Sequence, residues 1–395
     1  MRFISAASAE IDFEDALKDL VQQTLAEAGD AVLDLVVVFF TVHFMHAAGE
    51  IVKDLRAALQ PGLLVGCTAE GVISRDREIE NEPSISLLAA TLPGSQLHTF
   101  ILKPDSLDWA RLLLDEQKFL RAVSAPEKTQ LFMLLGDPFS TPMEDLLEAF
   151  NHFYPGIPVV GGMASAALRP NGNLLFVNDH ILHEGAVGVA FAGAMDVDII
   201  VSQGCRPIWR PFKVVQAYRN QIINLEDRAP LAWLQDLIPG LTEEDKLLLQ
   251  SGMYVGLAVK PEQETLGRGD FLIRGVVGID QESGAIAIGD SVMDGEIIQF
   301  HLRDAVTAQE DLEMQLIPQM FREKALGGLL FDCNGRGTRL YDRPNRDIYV
   351  IQQNIQNAPL AGFFCAGEIG PIAGINYMHG HTAVLALFRP AVSRE

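Results

Sequence analysis

Charged, amide and imidazole side chains stand among glycines in the last quarter of the chain, within residues 329–382. Residues 332–337 (DCNGRG) follow an apolar run, and such a loop can turn backbone N–H groups and a guanidinium towards an anion. Residues 367–371 (GEIGP) lie downstream. An arginine can bind a ligand carboxylate through two hydrogen bonds, and a glutamate can bind an ammonium group. The pattern therefore predicts a site for a polar, zwitterionic ligand, formed by Asn334, Arg336, Glu368, Asn376, His379 and His381.

The same residues allow a purely structural interpretation. The glycines can serve backbone geometry alone, and Arg336 and Glu368 can then pair with each other.

A second turn, residues 67–71 (CTAEG), is similar to residues 365–368 (CAGE). The similarity predicts two equivalent glutamate-bearing turns, so Cys67 and Glu70 join the predicted ligand site. A nucleophilic cysteine needs a base that generates its thiolate, and the sequence places none beside Cys67. A small buried cysteine is the alternative.

The four cysteines lie far apart and form no CxxC pair. We therefore expect neither a disulfide framework nor an all-cysteine zinc site, although this spacing does not exclude a long-range metal site, and no metal ligands are predicted. Sequence signatures of nucleotide, metalloprotease and serine hydrolase sites are missing as well, and no cofactor is expected.

Three copies of a strand–helix–strand pattern would position these turns. The first has a strand at 34–41, a helix at 46–59 and a strand at 63–67. The second has a strand at 130–136, a helix at 142–153 capped by Thr141 in a capping box, and a strand at 157–162. The third has strands at 328–332 and 361–365 around a helix at 345–357. Ligands bind at the carboxyl ends of strands in such α/β sheets. Generic strand–helix–strand units without a common origin are the alternative.

In the middle of the chain the sequence pattern predicts strands, a short helix at 231–238 and a hairpin whose strands are 270–280 and 285–288. A helix at 305–325 should break at Pro318. A boundary near 207–211 divides the chain into two domains, 1–208 and 209–395. The predicted fold class is α/β, with two domains of mixed β-sheets packed with helices and repeated strand–helix–strand units.

The formal charge is −22, from 30 basic and 52 acidic residues. An acidic surface repels nucleic acid and anionic membranes, so neither is an expected partner. The most apolar run, residues 31–52, is interrupted by polar and charged residues, so it does not predict a membrane span. The first residues lack the apolar core of a signal peptide. We expect a cytoplasmic protein.

These motifs together resemble those of the FIST proteins, whose amino- and carboxy-terminal FIST domains occur together. The resemblance covers nearly the whole chain and is carried by residues 333–337, 359–364, 367–371 and 378–383, with 66–73 as the matching turn in the front half. It implies a sensory module that binds small ligands such as amino acids, without established catalytic residues. No kinase, receiver, methyl-accepting or F-box segment accompanies the two domains, so a signalling partner protein would carry the output.

The main expectation is thus a non-enzymatic sensory protein that binds a small, amino-acid-like ligand near the glycine-rich turns. One alternative is a cysteine- or carboxylate-dependent hydrolase that uses Cys67 or Cys365 with His379 or His381. Another is a scaffold in which the turns are only architectural.

Overall fold

The computed structural model describes residues 1–105, 108–263 and 265–391. The contacts divide the chain into two compact units. Unit 1 comprises Met1–Val201, Leu312–Met378 and the chain from Thr382 onwards, and unit 2 comprises Ser202–Asp311 with His379–His381. Unit 2 is therefore an insertion into the sequence of unit 1. The predicted division into residues 1–208 and 209–395 does not follow these units and stays a prediction about family segments.

Unit 1 is built from three copies of one order of strands and helices. The first copy contains β1 (Arg2–Ser8), α1 (Phe13–Ala28), β2 (Leu35–Thr41), α2 (Ala48–Leu59), β3 (Leu63–Ala69), β4 (Gly71–Ile73), β5 (Glu78–Glu80) and β6 (Ile85–Thr91). The second contains β7 (Ser95–Leu102), α3 (Glu116–Val123), β8 (Thr129–Gly136), α4 (Met143–Phe153), β9 (Val159–Met163), β10 (Leu175–Val177), β11 (His180–Leu182) and β12 (Ala186–Gly193). The third copy begins with β13 (Met195–Gln203) and is then interrupted.

The interruption is unit 2, a closed six-stranded barrel with two helices. Its elements are β14 (Cys205–Tyr218), β15 (Gln221–Leu225), α5 (Pro230–Leu237), α6 (Glu243–Ser251), β16 (Tyr254–Ala258), β17 (Phe271–Ile279), β18 (Ile286–Ile288) and β19 (Ile297–Arg303). The barrel order is β14-β15-β18-β17-β16-β19. The predicted hairpin is confirmed as the antiparallel pair β17–β18.

The boundary expected near 207–211 falls inside β14 and stays a prediction. Pro211 is accommodated where the register with β19 shifts between Ile208 and Phe212, while Pro207 pairs with His301 before the shift. Proline lacks the N–H that a ladder needs, and a bulge is one of the few places where a strand tolerates it.

The third copy resumes after the barrel with the remaining elements. They are α7 (Ala305–Leu316), β20 (Gly327–Cys333), α8 (Arg346–Ile355), β21 (Leu360–Cys365), β22 (Glu368–Ile372), β23 (Ile375–His379) and β24 (Thr382–Pro390). The break expected at Pro318 is confirmed, since α7 ends at Leu316 and a 3-10 segment, Ile317–Phe321, follows.

Three six-stranded sheets share one plan. Their orders are β1-β6-β2-β3-β10-β11, β7-β12-β8-β9-β22-β23 and β13-β24-β20-β21-β4-β5. Each contains one parallel pair joined by a helix, flanked on both sides by antiparallel neighbours. The last hairpin of each sheet comes from a different copy, and the exchange is cyclic: the first copy's hairpin joins the third sheet, the second's joins the first, and the third's joins the second.

One glycine marks the same position in every parallel pair. Gly66, Gly161 and Gly362 lie opposite Val38, Leu134 and Leu330. A Cβ on any of the three would lie 1.8–1.9 Å from the carbonyl oxygen of that opposite residue. No other residue type fits such a close approach of two backbones. The α/β fold class and the repeated strand–helix–strand units predicted from the sequence are confirmed.

The strands of the three parallel pairs in unit 1 are buried on both faces. One face of each sheet contributes to a common core in which Phe39 packs at a tilt against Phe363, with ring centroids 4.6 Å apart, and contacts Phe331 edge-on. The other faces are covered by the helices of their own copies. Burial on both faces explains why these strands are continuous apolar runs rather than alternating ones.

Candidate functional site

Three turns at the carboxyl ends of the parallel pairs meet in unit 1, and Ser165 joins them. Its backbone N–H donates to the carbonyl of Thr68 at 3.3 Å. Its hydroxyl donates to the carbonyl of Phe364 and accepts a 2.9 Å hydrogen bond from the N–H of Glu70. One side chain from the second copy thus bonds the turns that follow β3 and β21.

The third copy closes the ring of turns. The N–H of Met163 donates to the carbonyl of Gly367 at 2.8 Å, and the N–H of Ala366 donates back to the carbonyl of Met163 at 3.0 Å. Asn334, which follows β20, donates from Nδ2 to the Glu70 carboxylate at 3.2 Å. The sequence-based expectation that the turns lie at corresponding sheet edges agrees with these contacts.

Glu70 is the acidic corner of this ring. Its carboxylate accepts hydrogen bonds from Asn334 and from the guanidinium of Arg339, whose Nη1 lies 3.1 Å from Oε2. Both side chains of the ion pair are partly exposed, at 33% for Glu70 and 53% for Arg339. The hollow beside them has a volume of about 30 Å³, roughly the volume that one water molecule occupies in the liquid. Two residues of the predicted ligand site, Glu70 and Asn334, are therefore bonded to each other there.

Arg336 lies behind this corner with no solvent exposure. Nε and Nη2 of its guanidinium donate to the two carboxylate oxygens of Asp347 at 2.8 and 2.7 Å. Nη2 also donates to the Tyr341 hydroxyl at 2.8 Å, and Nε lies 3.1 Å from Oδ1 of Asp332. The structure gives Arg336 two carboxylates of its own chain. The structural interpretation of the sequence paired Arg336 with Glu368, but the partners of Arg336 are these two aspartates.

The buried cluster holds more carboxyl groups than the one guanidinium can neutralise. Burial, followed by the charge of Asp347, raises the pKa of Asp332 well above its ordinary value. Burial also acts to raise the pKa of Asp347, but the charge and hydrogen bonds of Arg336 outweigh it, and the pKa is lowered. Burial and the charge of Asp347 raise the pKa of Glu78 to about 8. The shifts therefore favour the ionised form of Asp347 beside Arg336 and the protonated form of Asp332.

Glu78 ties the exchanged hairpin of the first copy to the third copy. Its carboxylate accepts a 2.8 Å hydrogen bond from the N–H of Ile348 in the first turn of α8. Its own N–H donates to the side chain of Asn345 at 2.6 Å. A carboxyl group at a helix N-terminus is in a favourable place, because the first-turn N–H groups lack partners within the helix.

Glu368 is fully buried at the start of β22. The N–H of Thr382 donates to its Oε2 at 3.2 Å. Burial raises the pKa of Glu368 to about 8, against the lowering effect of a hydrogen bond with the Cys333 thiol. The carboxyl group is thus mostly neutral at pH 7.

The expected equivalence of the two glutamate-bearing turns is wrong. In the hairpin of the third copy, Ile369 pairs with the close-approach glycine Gly161. Glu368, one residue earlier, pairs with Gly162. The residues at that position in the other two hairpins are Val72 and Leu175. The letters of CTAEG and CAGE match, but the strand registers differ by two residues. Glu368 is therefore a carboxyl group where the other copies carry an aliphatic side chain.

The cysteines are all buried in the described structure. Burial raises the pKa of Cys67 and of Cys365 well above the ordinary value for a thiol, and the charge of Glu368 acts in the same direction on Cys365. A thiolate is the form a nucleophile needs, and this environment disfavours it. A Cβ on residue 162 would lie 2.4 Å from the Cys365 sulfur, which explains why this residue is a glycine.

Asn376 holds the hairpin β22–β23 against the second copy. Its Oδ1 accepts the N–H of Val159 at 2.7 Å, and its Nδ2 donates to Asn151 at 2.8 Å and to the carbonyl of Ile157 at 3.0 Å. These contacts use the amide for backbone and side-chain groups of the chain itself.

The two predicted histidines belong to unit 2. His381 has a positive φ of 61° and stacks edge-on against Tyr254, with ring centroids 4.7 Å apart. Its carbonyl accepts the N–H of Gly204 at 3.0 Å. His379 is 4% exposed.

A cleft of about 340 Å³ opens on the other side of the ring of turns, at the N-terminus of α4. Met163, Ala366 and Met378 form one side. Residues 141–145 form the other, together with Pro138. The expected cap of α4 is wrong: Pro142 is the N-cap residue and offers no side-chain bond, while the Thr141 hydroxyl donates to the carbonyl of Gly185 at 2.7 Å. The first-turn N–H groups of α4 thus border the cleft without a side-chain bond from the cap residue.

Comparison with known families decides what kind of chain this is. The FIST N domain matches residues 34–228, and the FIST C domain matches residues 230–371. The chain belongs to the FIST family. FIST domains are a sensory family, and a small-molecule partner is consistent with that membership.

Two FIST relatives are similar over most of their length. The uncharacterized protein Rv0628c of Mycobacterium tuberculosis (strain ATCC 25618 / H37Rv) is 38% identical over 344 residues, 86% of this chain and 87% of the relative. The uncharacterized protein Mb0898c of Mycobacterium bovis (strain ATCC BAA-935 / AF2122/97) is 38% identical over 347 residues, 86% of each chain. Among solved structures, a cyanuric acid hydrolase from A. caulinodans aligns over 99% of both chains with a TM-score of 0.39 and 7% identity. So weak a likeness says nothing about activity or substrate.

Two further findings concern the described part of this FIST protein. It contains no helix long and apolar enough to cross a membrane. It also contains no group of three His, Cys, Asp or Glu side chains placed to hold a metal ion.

Sequence reasoning missed several residues of the site. Ser165 gave no signal, since a single serine after a glycine turn has no distinguishing pattern. Arg339 lies only three residues beyond Arg336 and could have been considered with it. Asp347 falls in the first turn of the predicted helix, where acidic residues are common for reasons of helix stability. The partner of Arg336 was therefore hidden behind an ordinary helix signal.

Proposed function

We propose that this FIST protein is a cytoplasmic, non-enzymatic sensor that binds a small amino-acid-like ligand in the cleft at the N-terminus of α4. The cleft is the observation that supports this proposal. Its volume of about 340 Å³ falls in the range usual for small-molecule sites, about 300–1,000 Å³.

The chemistry of the lining matches a zwitterion with an apolar side chain. The first-turn N–H groups of α4 suit a carboxylate, because a helix N-terminus carries partial positive charge. Asp145 lines the same cleft and can attract an ammonium group. The side chains of Met163 and Met378 offer a polarizable apolar wall.

The glycine-rich turns remain part of the proposal. Ala366 belongs to the turn after β21 and lines the cleft, and Glu368 follows it by two residues. Burial raises the pKa of Glu368 to about 8, and strongly shifted carboxyl groups cluster at functional sites. On this proposal Glu70, Asn334 and Arg336 hold the turns in place from the opposite side, and ligand binding is transmitted to a signalling partner protein.

Ligand binding is tested by thermal unfolding with each of the twenty amino acids and by isothermal titration of any that stabilise. A ligand present at 100 times its Kd should stabilise the protein by about 2.7 kcal/mol. Ala366→Phe should abolish the effect by filling the cleft, because Ala366 is exposed at its edge. Ala31→Phe, at an exposed alanine outside the cleft, is the matched control and should keep it. Stabilisation by no amino acid, or equal binding to both variants, contradicts the proposal.

The hydrolase alternative is less well supported by the site. Both thiols named for it are fully buried, and burial raises the pKa of each. A cysteine nucleophile requires the opposite shift.

A further inference from the structure

A long groove runs between α1 and α2 in the first copy of unit 1. Its volume is about 870 Å³, and eleven residues line it. They fall into three stripes, each with a spacing of four residues, which places the members of a stripe on one face of their helix. The stripes are Phe13, Leu17, Val21 and Leu25 on the floor; Glu14, Lys18, Gln22 and Ala26 on the outer edge of α1; and Glu50, Asp54 and Ala58 on α2.

The floor is a second apolar face of α1. The helix buries Ala16, Leu20, Thr24 and Ala28 against the sheet, and Leu17 of the floor stripe is buried with them. The other members of the stripe are only partly covered: Phe13 and Val21 are half-buried, and Leu25 is 43% exposed. From Phe13 to Leu25 the stripe is about 18 Å long, the rise of twelve helical residues. An apolar strip of that length, next to a second helix, has the shape into which an amphipathic helix packs.

The α2 wall determines the charge of the occupant. Glu50 and Asp54 are one helical turn apart, and neither takes part in an ion pair among the described residues. Among the described residues that line the groove, Lys18 is the only basic one. A helix lying on the floor would face two carboxylates from α2, and lysine or arginine residues with the same spacing would pair with them.

From these observations we infer that the α1–α2 groove docks an amphipathic helix of a partner protein, with its apolar side chains on the floor stripe and basic side chains four residues apart against Glu50 and Asp54. A second copy of this chain is a poorer occupant, because a two-fold contact would bring the acidic walls of both copies together. An anionic membrane surface is repelled by the same carboxylates.

The test uses a designed 18-residue peptide with leucines on one helical face and lysines or arginines at four-residue spacing beside it. Its binding is followed by fluorescence anisotropy, alongside a peptide in which glutamate replaces every basic residue. The basic peptide should bind with a micromolar Kd, and the acidic one about ten times more weakly or not at all. No binding of the basic peptide overturns the proposal.

Charge-reversal variants distinguish binding in the groove from general attraction of a basic peptide to a protein with a formal charge of −22. The double variant Glu50→Lys with Asp54→Lys should weaken basic-peptide binding at least about tenfold. Glu127→Lys with Glu184→Lys makes the same change of charge at exposed sites outside the groove and should change it by less than about twofold. Equal losses in the two doubles overturn the proposal.

A second pair of variants tests the apolar floor. Leu25→Gln should weaken binding, whereas Leu168→Gln, at a leucine that is 98% exposed and outside the groove, should not. Circular dichroism checks that each variant is folded. An unchanged affinity for Leu25→Gln contradicts the groove as the site. Sedimentation that shows a dimer lost in Leu25→Gln assigns the groove to a second copy and overturns the partner helix.

Discussion

Arg336 and Asp347 form a two-hydrogen-bond ion pair in which neither side chain exceeds 1% exposure. The pair joins the loop after β20 to the first turn of α8. Together with Asp332, Tyr341 and Glu78, this ion pair fills the space behind the turn of the third copy. That space is therefore occupied by the protein's own side chains. The second copy has an open cleft beside its own helix, α4, and this difference is why the proposed ligand is assigned to the second copy.

Arg336→Met should lower the free energy of unfolding by about 3–5 kcal/mol, because it leaves the carboxylate of Asp347 buried without its counter-charge. Arg339→Met removes a partly exposed ion pair with Glu70 and should cost no more than about 1 kcal/mol. Urea unfolding of both variants measures the difference. If Arg336→Met proves too unstable to purify, Tyr341→Phe removes only the hydroxyl hydrogen bonds and should cost about 1–2 kcal/mol. A negligible loss for Arg336→Met would contradict a structural role and favour its predicted role in ligand binding.

The close-approach glycines should respond alike to substitution. Gly66→Ala, Gly161→Ala and Gly362→Ala each place a Cβ less than 2 Å from a backbone oxygen. A backbone clash has no side chain that could move aside, so each variant should lose several kcal/mol, about 3 or more, or fail to fold. Gly49→Ala, in α2 with nothing near its Cβ, should be neutral or stabilising by up to about 1 kcal/mol. Thermal unfolding compares the four variants. Tolerance at only one of the three positions would argue against their structural equivalence.

Stability should fall as the pH rises from 6.5 to 8.5. The pKa values of Glu78 and Glu368 are raised to about 8 in the folded protein from an ordinary value of 4.5. The folded state therefore holds protons that the unfolded state has lost, and raising the pH through the folded pKa removes that advantage. The two glutamates contribute their full stabilisation below about pH 4.5, and this stabilisation is lost above their folded pKa of about 8. Urea unfolding at three pH values measures the slope.

Glu368→Gln is the matching variant for this pH dependence. Its amide cannot ionise, so the decline of stability between pH 6.5 and 8.5 should be shallower than in the native sequence. Glu127→Gln, at an exposed carboxylate, is the control and should leave the slope unchanged. Parallel slopes for all three proteins would show that the buried glutamate does not titrate in this range.

Thiol labelling should be slow at every cysteine. Cys67, Cys205, Cys333 and Cys365 are all buried in the folded protein, and the reactive form is the thiolate. Iodoacetamide at pH 7.5 should modify the native protein far more slowly than the urea-unfolded one, with no site ahead of the others by more than about tenfold. Mass spectrometry of tryptic peptides resolves the sites. Rapid labelling of Cys67 or Cys365 alone would revive the hydrolase alternative.

The sequence predicted the local part of this fold well. Helices α2, α4 and α8 and the strands beside them come from apolar runs and four-residue periodicity, which reflect burial within one copy. The equal spacing from Val36 to Cys67 and from Leu131 to Gly162 corresponds to equal sheet positions only at its end. Cys67 and Gly162 each follow a close-approach glycine, but Val36 lies two residues before the residue opposite that glycine and Leu131 lies three before it. Local patterns of this kind survive in a single sequence because each residue needs only its near neighbours to satisfy them.

The long-range part could not be predicted in the same way. No local pattern shows that residues 71–80 pair with the third sheet, or that a barrel interrupts the third copy. The error about Glu70 and Glu368 has the same origin, because matching letters carry no information on register. Arg336 was interpreted as a ligand contact because a sequence shows its charge but not Asp347, the carboxylate that neutralises it.

The cyclic exchange of hairpins also concerns how the chain is made. Val72 in the first copy pairs with Phe363 in the third. A ribosome that synthesises the chain from its amino terminus therefore releases β4 and β5 long before their neighbour β21 exists. The barrel draws all of its strands from one continuous stretch and can fold as soon as that stretch emerges. We expect the nascent first copy to keep an uncovered strand edge until the last quarter of synthesis, the stage at which chaperones would matter most for this protein.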